Sequence, residues 1–324
     1  MLLKIIKSNS LLSLVLPVLF VIAIWCSAYF IHGPIYQESH VSMFDTLFGW
    51  LIKIPFPAFI VALGLLILEA YTWNAFISKQ MLLKQTTYLP ALFYFFLCSC
   101  RPVLISFYPA IAASLFLILA LKRLAESYKK EKALSESFDA GVLIGIASLL
   151  YYPVALFVIF LWIALIIMRS LVWREWVASL IGFLLPFAFM LGYYSVFYSP
   201  AYFLYNKLPV AIGGYRIMST FNWNQVTLIA ILGIIALLSL FVFISKFSDN
   251  VVKNQKLSSL IIWYACVAGA SVIISPERDA RALVLLALPF SFIFSRYFVR
   301  VKLKWIHDVL FILLIIAIVI NIFF

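Results

Sequence analysis

The sequence holds 324 residues, of which 66% are hydrophobic and only 11% charged, with a formal net charge of +12. Soluble domains carry about 25% charged residues, and a chain of this length with so few cannot cover its apolar surface in water. A water-soluble fold is therefore excluded and the solvent is a bilayer. The apolar runs are continuous, as in Leu11–Ile31, Leu228–Ile244 and Val309–Phe324, whereas barrel strands alternate apolar and polar residues. The fold class that follows is an all-α polytopic transmembrane helix bundle. It forms a single integral membrane domain over residues 1–324 with no separate soluble domain.

In chain order, the first span is expected at 11–31, after Lys4 and Lys7. Its apolar run is longer than the core of a secretory signal, so it is read as a retained helix. An outer loop follows with Glu38, His40 and Asp45 and no basic residue before Lys53. Such side chains act as general bases or bind a divalent metal, and they also make an ordinary acidic loop. The second span, 54–76, carries Glu69. That residue reads as a proton-relay group, or as a carboxylate that reaches the interface or pairs with a neighbouring cation.

The next two apolar segments are too short for what is asked of them. Tyr88–Leu121 and Phe138–Met168 each lie between basic stretches and must each go out and return, yet a full span takes about 20 residues. Both are broken in the middle, at Arg101-Pro102 and at Tyr151-Tyr152-Pro153, where proline removes a donor and biases the preceding residue away from helix. They predict two hairpins of short helices whose tips line a protein-walled cavity open to the outside. Arg101 stands at the first tip, and an arginine at membrane depth is a functional candidate by default. Ordinary spans follow at 176–197, 225–245, 257–275, 282–298 and 307–324, giving about eleven helices with the four half-helices. The loop 199–224 carries Tyr202, Tyr205, Arg216 and Trp223, and the loop 275–281 carries Glu277, Arg278, Asp279 and Arg281. The four cysteines lie in apolar surroundings, and Cys98 and Cys100 have no cluster beside them to complete a metal site.

Charge sets the orientation. Basic residues concentrate in cytoplasmic loops, and with the N-terminus inside, 18 of the 24 fall on the inner side. The exceptions are Lys53, Arg101, Lys207, Arg216, Arg278 and Arg281. The net positive charge is thus a topology signal rather than a sign of nucleic-acid binding. The expectation is a multi-pass protein of the bacterial cytoplasmic membrane, N-terminus cytoplasmic and C-terminus outside.

Two stretches carry a resemblance. Asp139–Phe157, through Gly141, Gly145, Ala147 and Pro153, resembles a hairpin of GT-C-type, polyprenyl-phosphate-sugar-dependent glycosyltransferases. Arg278–Phe290, through Arg281 and Pro289, is similar to their late span. The chain as a whole also looks like a family of bacterial polytopic membrane proteins, a likeness that supplies no activity. The GT-C resemblance implies a GT-C-like fold and a lipid-linked sugar transferase or lipid- and glycan-handling protein. Glu38 or Asp45 would then be the catalytic base, and Arg101, Arg216, Arg278 and Arg281 would hold the lipid phosphate. The family's acid usually sits in an Asp-Glu or Asp-x-Asp setting, whereas here Glu38 and Asp45 are separate. The partners implied are membrane lipid, polyprenyl phosphate and a membrane protein complex. No cofactor is identified and a divalent metal stays open. Two alternatives stand beside this reading: a non-catalytic scaffold or complex subunit, and a transporter, since broken helices also mark transporters.

Overall fold

A computed structural model of the chain describes residues 11–33, 43–83, 85–169, 172–197, 223–245, 251–275, 280–300 and 304–323. Among them the chain forms twelve α-helices and no strand. In chain order these are α1 (Leu11–His32), α2 (Met43–Ile52), α3 (Pro55–Lys79), α4 (Leu89–Cys98), α5 (Pro109–Glu126) and α6 (Leu134–Leu150), then α7 (Phe157–Met168), α8 (Trp173–Phe197), α9 (Trp223–Ser245), α10 (Val252–Ile274), α11 (Val284–Arg300) and α12 (Lys304–Phe323). Six of them are long and apolar enough to cross a membrane. The segment expected as a span at 307–324 forms α12, but its apolar part, Asp308–Phe323, is shorter than those six and is not among them.

Both expected hairpins form, and both break where proline stands. Arg101 is extended (φ −142°, ψ 142°) before Pro102, and a 3-10 turn over Pro102–Leu104 follows. Tyr108 is extended again before Pro109, which opens α5. In each case the residue before proline is held out of the helical region by its clash with the ring. The second hairpin turns through Tyr152–Leu156. A third 3-10 turn, Ala280–Leu283, leads into α11. Pro55 at the head of α3 and Pro90 at the head of α4 occupy the first turn, where a missing N–H costs nothing. At the other end of α3 and α5 the chain reverses through Met81 and Lys129, both with positive φ.

The first outer loop was expected to be irregular, but residues 43–52 form α2, a twelfth helix. It places Asp45 in its first turn, which suits the helix dipole, and buries Met43, Phe44 and Leu51. Phe44 and Phe48 pack against Phe107 of the first hairpin tip, tilted and edge-on, at 4.9 and 5.5 Å between centroids. The helix forms because it has an apolar face to bury, a feature masked in the sequence by the polar residues before it.

α4 lies at the centre. Leu89 to Phe96 are all buried, which marks a helix enclosed by others. It packs on α11, α3 and α1, and the ring of Phe93 meets Phe96, Phe294, Phe298 and Phe311. α7 packs on α10, and α9 on α11 and α12. The tightest seam is between α6 and α8. A Cβ on Gly145 would stand 2.5 Å from the Phe183 carbonyl oxygen, and one on Gly141 or Gly182 would overlap the Ser179 or Phe138 carbonyl. Gly141 and Gly145 therefore serve backbone-to-backbone approach, the small-xxx-small contact of membrane helices. α8 and α9 leave Leu180, Ile181, Leu184, Phe189, Ile234, Leu237 and Phe241 exposed, an apolar face suited to lipid.

Contacts sort into two ends. At one, basic side chains meet their partners: Arg123 with Glu126 and Asp139, Lys130 with Glu136, and Lys256 over the Tyr128 ring. Arg169 is buried there, its Nη2 2.9 Å from Glu175 Oε1 and 3.1 Å from the Glu131 carbonyl, while its Nη1 reaches the carbonyls of Ser127 and Lys130. At the other end lie the hairpin tips.

Candidate functional site

At the tip end the three interrupted helices meet. The turn Pro102–Leu104 touches Ala280–Leu283, and Tyr152–Leu156 packs on α10, which in turn meets Ala280–Leu283. Tyr151 and Ser275 bring their hydroxyl oxygens to 3.0 Å. Backbone freed by the breaks is satisfied from outside the hairpins: Asn321 Nδ2 donates to the Cys100 carbonyl at 2.6 Å. Half-helices at membrane depth are tolerated only where protein encloses them in this way.

Arg101 and Arg281 thus stand on adjoining turns. Arg101 is half-buried and its Nη2 donates to Gln225 Oε1 at 3.1 Å. Arg281 is 9% exposed and its guanidinium lies 5.9 Å from the centre of the Tyr108 ring. A planar, permanently charged fork at each position suits bidentate capture of a phosphate or carboxylate. Asp45 reaches the same end on α2, through the Phe44–Phe107 contact. Glu38, Arg216 and Arg278 lie outside the described residues, as does His40. Among the described residues no group of three His, Cys, Asp or Glu side chains is placed to hold a metal ion.

A second cluster lies deeper, around Glu69, and two of the three settings expected for that residue are not the ones found. Glu69 neither reaches an interface nor pairs with a cation among the described residues. It is fully buried, and Tyr94 donates to its Oε2 at 2.7 Å. Its Oε1 lies 2.7 Å from Ser114 Oγ. Tyr94 comes from α4 and Ser114 from α5, so the two arms of the first hairpin close on the carboxyl. Cys98, Tyr108 and Tyr264 are the other titratable groups within electrostatic range of Glu69. One turn further along α3, Trp73 donates to Ser291 of α11 at 2.9 Å. The signal in the sequence was the lone carboxylate in an apolar run; its partners sit 25 and 45 residues away and carry no local pattern.

The family described as "Family of unknown function (DUF6427)" matches residues 1–324. The chain belongs to this family. No curated protein matches it, and no solved structure does. The chemistry of this DUF6427 protein therefore rests on its own side chains: two arginines at the joined tips, and a hydroxyl-bound carboxyl beneath them.

Proposed function

We propose that this DUF6427 protein binds the phosphate of a lipid-linked substrate between Arg101 and Arg281, at the outer face of a bacterial cytoplasmic membrane. The observation that carries the reading is the meeting of two arginine-bearing turns at the end opposite the paired basic residues. In this orientation the basic end faces the cytoplasm, in keeping with the distribution of charge, and the N-terminus is inside. A polyprenyl phosphate supplies both the anion and the apolar tail for a site set among membrane helices. The GT-C resemblance of Gly141–Pro153 and of Arg281 with Pro289 supports extending this to sugar transfer, with Asp45 or Glu38 as the base that activates an acceptor hydroxyl.

The test is polyprenyl-phosphate binding to the full chain in nanodiscs, followed by native mass spectrometry. A charge-assisted hydrogen bond contributes about 1.5–3 kcal/mol, so Arg101→Ala and Arg281→Ala should each weaken binding by about tenfold or more. Undiminished binding in both variants refutes the site. If both lose binding while Asp45→Asn and Glu38→Gln leave turnover of a lipid-linked sugar unchanged, binding stands and the catalytic assignment falls.

A further inference from the structure

The outer site makes no use of Glu69, a fully buried carboxyl held by hydroxyls from two other helices. A carboxyl at membrane depth with no cation beside it is costly unless its hydrogen bonds are complete or it is neutral. The hydrogen bonds around Glu69 can be counted for both protonation states. Ser114 has one hydroxyl proton and two acceptors in reach: Glu69 Oε1 at 2.7 Å and the Ile111 carbonyl at 2.8 Å. With Glu69 ionised, Tyr94 and Ser114 both donate to it, one to each oxygen. With Glu69 protonated on Oε1, it donates to Ser114 Oγ, Ser114 turns its own proton to Ile111, and Tyr94 still donates to Oε2. Rotation of one hydroxyl completes the set either way.

The surroundings differ on the two sides of this carboxyl. Toward the tips stand Tyr94 and Cys98 of α4 and Tyr108 at the entry of α5. The buried Tyr108 hydroxyl has no hydrogen-bond partner, and its ring lies under Arg281. Toward the basic end Trp73, Leu117, Ile118, Leu121, Ile261, Leu288 and Pro289 surround a packing gap too narrow for a water molecule, with Tyr264 of α10 on its wall, and Trp73 is bonded there to Ser291. The hydroxyl of Tyr264 is likewise buried without a partner. A buried hydroxyl without a partner thus stands on each side of the carboxyl, and the one toward the basic end borders a gap closed to water.

We infer that Glu69 is a proton-exchange site, which binds and releases a proton through the Ser114 hydroxyl switch and exchanges it with the outer face by way of Tyr108. On release the Glu69 O–H bond breaks and the proton is handed along the hydroxyls, each giving up its own proton as it accepts one, so that one proton reaches outer water and Glu69 is left as a carboxylate with Tyr94 and Ser114 donating to it. Its ligand is the proton alone, and it stands independently of phosphate binding at Arg101 and Arg281.

Infrared spectroscopy of the full chain in proteoliposomes tests it, because the carbonyl stretch of a protonated carboxyl is separate from the bands of a carboxylate. The expected result is a protonated-acid band that is absent in Glu69→Gln, shifts in heavy water, and disappears reversibly as the pH is raised. Tyr108→Phe should keep the band and slow its exchange in heavy water about tenfold. Tyr94→Phe retains the acid but removes a donor, and should move the band; it carries the assignment if Glu69→Gln fails to fold. A spectrum unchanged by Glu69→Gln, or a band that neither exchanges nor responds to pH, overturns the inference, and exchange unaffected by Tyr108→Phe overturns the route. Lipid-phosphate binding by Glu69→Gln, measured as above, is expected to match the unmodified protein and keeps the two readings distinguishable.

Discussion

Gly145→Ala adds a single methyl group to the α6–α8 seam, and its effect follows from the backbone alone. The new Cβ would lie 2.5 Å from the Phe183 carbonyl oxygen and 3.0 Å from Cγ of Pro186, whereas ordinary contact begins near 3.4 Å. The first overlap is with a carbonyl inside a helix and no side chain can rotate out of the way. α6 and α8 must therefore part by about 0.9 Å along that line, the difference of the two distances. A gap of 0.5–1 Å forfeits roughly a quarter to a half of each dispersion contact across the seam. Overpacking of this kind costs about 1–3 kcal/mol, against a gain of roughly 0.5–1 kcal/mol from replacing a helical glycine by alanine. A net loss is expected, and it should grow further in a Gly141→Ala/Gly145→Ala pair. The assay is thermal unfolding of the purified protein in one detergent, with Gly233→Ala as the control, since nothing lies within 4 Å of a Cβ there. Gly233→Ala should match or exceed the unmodified protein. If Gly145→Ala is as stable as Gly233→Ala, the close backbone approach of α6 and α8 is wrong.

Other outcomes can be stated more briefly. Glu175→Ala leaves Arg169 buried without its counter-charge, a loss of about 3–5 kcal/mol for a buried pair, and it should lower the unfolding temperature far more than Glu126→Ala, whose partners Lys79 and Arg123 are exposed. The hydrogen bond from Lys130 holds the Glu136 carboxyl below its usual range. Its contribution is therefore present at neutral pH and lost as the pH falls through that lowered value. Because Lys130 is half-exposed, the effect is no more than about 1 kcal/mol, seen as a smaller acid-induced drop in unfolding temperature for Glu136→Gln. At the tips, Arg101→Lys keeps the charge but not the fork, and should recover only part of the phosphate binding that Arg101→Ala loses.

Where the fold was legible, a single residue type made it so. Although Pro17, Pro186 and Pro289 are carried inside longer helices, Pro102, Pro109 and Pro153 stand at helix breaks, where the missing donor and the clash with the preceding residue are local effects. The two hairpins could be placed from them and from the basic residues at either side. α2 was not legible: it exists because Phe44 and Phe48 find Phe107, some sixty residues on, and its own sequence opens among polar residues. The candidate site divides in the same way. Arg101 stood out as a charge at membrane depth and Arg281 as one of a charged loop at a span entrance, but the contact between their turns is a matter of how α11 and the first hairpin pack. Glu69 was visible as an oddity, but its setting was not, since hydroxyls on two other helices stand where a cation or the interface was among the expectations.

The last helix holds together parts of the chain made long before it. Asn321 is bonded to the Cys100 carbonyl, and the ring of His32 lies 2.6 Å from the Ile322 carbonyl. Synthesis runs from α1 to α12, so the first hairpin must wait in the membrane with its tip carbonyl unmet while more than 200 further residues are made. α12 acts as a latch on an already folded interior. Loosening α12 would therefore release both the tip carbonyl of the first hairpin and the end of α1.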